Sequence, residues 1–223
     1  MAYFTKDFID FWKDLKENND RDWFNENKKR FKSHVEKPFQ EFIGDAIVRF
    51  QQYEPSILIT PKEAVFRIYR DIRFSADKTP YKDHISAVVA PGGRKGNMMG
   101  GAYIELSNEN SKVYGGIYMP DKKTLENIRY HIAANPDEFQ SLLEDETFKK
   151  TYGEIQGEKN TRLPKEFDEA AERQPLIYNK SFYFFHRFKP TDILKDNFMD
   201  LIVEKYVAGK PMADFLIRGA KGA

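Results

Sequence analysis

The residues best suited to chemistry lie in one stretch, FRIYRDIRFSADKTPYKDH from Phe66 to His84, where Arg67, Arg70, Arg73, Lys78 and Lys82 crowd around Asp71, Asp77 and Asp83. Guanidinium forks and ammonium groups packed this closely suit a phosphate or carboxylate, because charge-assisted hydrogen bonds are roughly twice as strong as neutral ones. The carboxylates among them are too thickly surrounded by cations to serve as acids of raised pKa. Their part would be to orient the cations, with Ser75 and Tyr81 as neutral neighbours. Between residues 62 and 95, eight Lys and Arg stand against four Asp and Glu. That surplus is modest for a nucleic-acid face, although Tyr69, Phe74 and Tyr81 are interleaved as stacking candidates. Two readings therefore stand together: a ligand site, and an ion-pair network that only holds the chain in shape.

The element carrying these residues reads as a strand. Phe66, Ile68, Ile72 and Phe74 share one parity while Arg67, Tyr69, Asp71 and Arg73 share the other, the alternation of a half-buried strand. Arg70 falls on the apolar parity, so either a bulge re-aims it or an acid such as Asp71 or Glu105 meets it. Asp71 and Arg73, about 7 Å apart on one face, are near enough to pair. Ser75 and Asp77 favour a side-chain-bonded turn, and Thr79-Pro80 enforces an extended step before Tyr81 and Lys82.

Around this segment, apolar residues at three- and four-residue spacing predict two opening helices within residues 4–53. The first runs through Phe4, Phe8, Phe11, Trp12 and Leu15. The second is capped by Asp20 and kinked or divided at Pro38. Further strands are expected at 84–90, 102–107, 113–119 and 181–188, the middle pair forming a hairpin. Short helices follow from Asp121 and Asn135, then a long connection over 152–180 with a helical turn near 168–173. Helices over 191–220 follow, one capped by Thr191 and one beginning at Pro211. The expectation is a single α+β domain over 1–223. Its core would be an antiparallel sheet of about five strands, from 64–119 and 181–188, with helices mainly on one face.

The run from Arg67 to Lys82 resembles the hallmark of the domain-of-unknown-function family numbered 2461. Asn18-Asn19-Asp20-Arg21-Asp22-Trp23-Phe24 and Gly115-Gly116-Ile117-Tyr118-Met119-Pro120, with Leu125 and Ile128-Arg129, are similar to its other motifs. Ala76 stands where that family is expected to carry Lys, which removes one charge from the site. The resemblance covers nearly the whole chain and implies no particular reaction. Its motifs could converge: Arg21 starts a helix, where backbone N–H groups favour an anion, and Arg129 could reach the same place. Trp23 is better read as a packing residue.

The remaining composition narrows the function classes. With 36 basic against 35 acidic residues the formal charge is +1, too small to gather nucleic acid or anionic membrane globally. There is no cysteine, hence no disulfide, thiolate nucleophile or cysteine-zinc site, which suits a reducing compartment. The opening residues lack the apolar core of a signal peptide, no apolar run is long enough to span a bilayer, and cytoplasm is the expected location. His34, His84, His131 and His186 show no metal-ligand spacing, and the glycine-rich run from Pro91 to Asn97 lacks the spacing of a phosphate loop. No metal or cofactor is expected. The sequence thus favours a small anionic ligand, with nucleic acid and protein partners as alternatives, and identifies no catalytic residue.

Overall fold

The structure is a computed structural model and describes residues 2–96 and 99–222. Helix α1 (Lys6–Glu17) is followed by α2 (Arg21–Glu26), α3 (Lys28–Phe31), a π-helical turn at Lys32–Glu36, and α4 (Lys37–Phe50). Asp20 caps α2 as expected, its side chain accepting from the Asp22 and Trp23 N–H groups. The expected second helix is divided at Asn27, between α2 and α3, and not at Pro38: there the backbone stays helical, passing through the π-helical turn immediately before the proline. After α5 (Pro61–Ala64) come strands β1 (Ile85–Val89), β2 (Ala102–Leu106) and β3 (Ser111–Ile117). Then follow α6 (Lys122–Ala134), α7 (Pro136–Glu144), α8 (Glu146–Tyr152), α9 (Asp168–Arg173), β4 (Phe182–Phe188), α10 (Pro190–Ile193) and α11 (Phe198–Lys221).

The chain is α+β, with one antiparallel sheet of four strands among the described residues, in the order β1-β2-β3-β4. The expected fifth strand, 66–74, does not form. The β2–β3 hairpin does, closed by the Ser111 hydroxyl, which accepts from the Ser107 N–H and donates to the Ser107 carbonyl. Pro211 does not begin a helix: it lies inside α11, and α10 starts at Pro190, before Thr191. The run from Pro91 to Gly96 makes a turn and a 3-10 segment, with Arg94 donating to the Lys62 and Val65 carbonyls. Asn97, within the expected loop, lies outside the described residues.

Alternate strand residues divide the sheet into two unlike faces. Ile85, Ala87, Val89, Ala102, Ile104, Leu106, Val113 and Phe188 pack with α1 to α4 and the first half of α11 in one buried cluster. Ile117, Phe182 and Phe184 pack with α6, α7, α8 and the second half of α11 in another. Helix α11 thus feeds both, through Ile202, Val203 and Tyr206 to the first and Met212, Phe215 and Leu216 to the second. The opposite parity, with Tyr103, Glu105, Lys112, Tyr114, Tyr183 and Phe185, forms the outer face. No helix among the described residues is long and apolar enough to cross a membrane.

Candidate functional site

The segment expected as a fifth strand leaves the sheet after its first residue. Val65 bridges Ala87, the Phe66 N–H reaches the Ser86 carbonyl at 2.9 Å, and the backbones meet again at Tyr69 and Tyr81. Between those points the side chains replace a neighbouring strand. Arg70, which strand pleating would have aimed at the core, pairs instead with Asp77 and the Thr79 hydroxyl. Asp77 in turn accepts the Thr79 N–H at 2.9 Å. Arg73 grips Asp71 with two bonds of 2.9 and 2.7 Å, and Lys78 donates to the Ile72 carbonyl at 3.0 Å. The alternation is lost in consequence: Ile68 is buried while Phe74 is 96% exposed.

These contacts account for Arg70, Arg73 and Lys78 as holders of the loop. They also set its acids. The Thr79 N–H, then Arg70 and the Thr79 hydroxyl, hold the Asp77 carboxyl down at about 2, and Arg73 lowers that of Asp71. Ser75 lies in the same loop, half-buried.

The two sequence motifs are fastened to each other. The Asn19 amide donates to the Tyr81 carbonyl at 3.0 Å and accepts the Tyr81 N–H at 3.1 Å, standing in for a paired strand residue. Phe24 stacks on Tyr81 with ring centroids 4.0 Å apart, and Tyr69 lies 5.3 Å from Tyr81. Trp23 packs on Phe11, as a packing residue should. Arg21 is thereby carried to the loop, where it opens with Asn25, Tyr69, Arg70 and Tyr81 onto a cavity of about 320 Å³ walled by Ile72 and Pro80. Arg21 makes no ion pair among the described residues, and the cavity has no acidic lining residue. The expectation that helix N–H groups would serve an anion fails, because Asp20 already occupies those of Asp22 and Trp23 at 2.9 Å each. Burial raises the Tyr81 phenol, so it stays protonated and able to donate.

Other expected site residues lie apart from this cavity. Lys82 is half-buried with its ammonium 5.0 Å from the Phe66 ring centroid, and burial, then the nearby Arg67, lowers its pKa. Arg129 is neither solvated nor near the loop. Only 7% exposed, it donates to the Ile177 and Asn179 carbonyls at 2.9 and 3.1 Å and so holds the turn before β4. Asn19 and Asn25 were missed; the signal for Asn19 was its place just before the Asp20 cap, which reads equally well as a helix stop.

Among the described residues no three His, Asp or Glu side chains group to hold a metal ion. No curated protein and no solved structure matches the chain. A family model described as "Conserved hypothetical protein (DUF2461)" matches residues 7–215, from α1 into α11, and takes in both motifs that build the cavity. The chain belongs to this family.

Proposed function

We propose that the protein binds a small anionic ligand, bearing a phosphate or carboxylate, in the cavity between Arg21 and Arg70. One observation carries the reading: each polar side chain lining that cavity can donate a hydrogen bond, none is acidic, and Arg21 has no counter-ion among the described residues. Asp77 fixes one edge of Arg70 and leaves the rest of the guanidinium to a ligand, the arrangement that keeps a long cation in one geometry. The absence of cysteine suits a reducing compartment, and we place the protein in the cytoplasm.

The test is thermal unfolding against inorganic phosphate, sugar phosphates, nucleotides and dicarboxylates, for the wild type and Arg21→Ala. A ligand at 100 times its Kd adds about 2.7 kcal/mol, a rise of roughly 5 to 10 °C in a domain of this size. A rise that disappears in folded Arg21→Ala supports the site; no rise with any anion overturns it. A second reading rests on Phe74, which is 96% exposed with the Arg73 guanidinium 5.8 Å from its ring centroid, a pairing suited to a stacked base. Binding of a single-stranded oligonucleotide that falls steeply with salt and is lost in Phe74→Ala, while surviving Arg21→Ala, would favour that reading.

A further inference from the structure

The outer face of the sheet carries a larger cavity, of about 440 Å³, that shares no lining residue with the one described above. Strand register places Tyr103 opposite Tyr114 and Gly116 opposite Tyr183. Ring contacts then run continuously along the wall. Phe66 lies 6.3 Å from Tyr103, Tyr103 5.4 Å from Tyr114, Tyr114 6.4 Å from Tyr183, and Tyr183 5.4 Å from Tyr118. Interplanar angles of 65°, 60°, 40° and 85° along that series tilt each ring against the next. Gly101, Gly115 and Gly116 line it without adding a side chain.

Two polar pairs bordering this cavity are closed on one another, and the Lys82 ammonium lies over the Phe66 ring. Lys112 meets Glu105 at 3.4 Å, their side chains 16% and 12% exposed, and the Tyr114 hydroxyl donates to the same carboxylate at 3.3 Å. His84 sits 2.8 Å from Asp83, with its other ring nitrogen 3.5 Å from the Tyr103 hydroxyl. Burial pushes the Tyr103 phenol up to about 12 and raises Tyr114 as well, so both remain neutral across the physiological range. What faces the space is uncharged aromatic surface with phenol groups along it. Edge-to-face and offset contacts on such a wall favour a planar ring over a saturated one, and the volume is that of an ordinary small-molecule cleft.

The geometry points to a second binding site, in which the outer-face cleft takes a planar, uncharged aromatic or heteroaromatic ring system stacked among Tyr103, Tyr114, Tyr118 and Tyr183. The ligand differs in class from the anion assigned to the Arg21 cavity, and the two sites fail or stand independently.

Ligand-observed NMR with indole, quinoline and adenine, each paired with a saturated analogue of similar size, tests the assignment. Tyr118 is 56% exposed, so Tyr118→Ala leaves the fold intact; it should raise the Kd roughly three- to tenfold while Tyr118→Phe stays near wild type. Arg21→Ala should bind the rings unchanged. The proposal is overturned if none of the three rings binds below about 1 mM, an affinity well within what a ligand of this size can reach. It is equally overturned if saturated analogues bind as well, or if Tyr118→Ala has no effect. Sedimentation showing a wild-type dimer that Tyr118→Ala dissociates would also overturn it, because a second copy would then be the occupant.

Discussion

Replacing Asn19 with Ala tests the joint on which the Arg21 cavity depends. The Asn19 amide serves both backbone groups of Tyr81, at 3.0 and 3.1 Å, in a partly buried position. A hydrogen bond of this kind contributes about 0.5 to 1.5 kcal/mol net, so losing both should cost about 1 to 3 kcal/mol. For a chain of this size that lowers Tm by roughly 2 to 12 °C. Urea denaturation followed by circular dichroism gives the free energy, and anion titration of the same variant gives the functional half. Binding should weaken along with stability, because Arg21 is held against Tyr69 and Tyr81 through this clamp. Asn19→Asp makes a sharper control. It keeps an acceptor for the Tyr81 N–H but places an oxygen against the Tyr81 carbonyl, so it should recover little of the loss. A variant within about 0.5 kcal/mol of wild type, the range of an ordinary surface substitution, would refute the argument.

Other expectations follow from single contacts. The Asp77 carboxyl is held at about 2 against an ordinary 3.8, so its contribution to the loop is complete above the ordinary value and is lost as pH falls through about 2. The Thr79 amide resonance should titrate with that lower midpoint, and a midpoint near 3.8 would show that the Asp77 contacts do not persist. Arg129→Ala removes two charge-assisted bonds to buried carbonyls and should cost about 3 kcal/mol or more, read by urea denaturation, with ligand binding at the Arg21 cavity unchanged. Phe74→Ala should shift stability by less than about 0.5 kcal/mol, since the ring is 96% exposed; a larger loss would mean that it packs.

What was legible in the sequence was local. The Asp20 cap, the helix that follows Asp121, the β2–β3 hairpin and the short helix at 168–173 each depend on residues a few positions apart, and each forms. The expected strand at 66–74 failed because alternation alone does not supply a hydrogen-bonding neighbour. Arg70, Asp71, Arg73 and Asp77 satisfied one another first, and Phe74 was left in solvent. Arg129 was misread because its partners are carbonyls at Ile177 and Asn179, about 50 residues away, and no side-chain pattern announces them. The outer-face cleft is legible only once register is known. Tyr103, Tyr114 and Tyr183 each sit on the outward parity of a different strand, and the pairing alone brings them side by side.

Helix α11 has a consequence for how the chain folds during synthesis. Its two halves complete two separate cores, yet it follows all four strands in sequence. When β4 leaves the ribosome, the first cluster still lacks Ile202, Val203 and Tyr206, and the second lacks Met212, Phe215 and Leu216. Until those residues emerge, the apolar surface that α11 covers in each cluster stays uncovered, the condition under which a nascent chain aggregates or engages a chaperone.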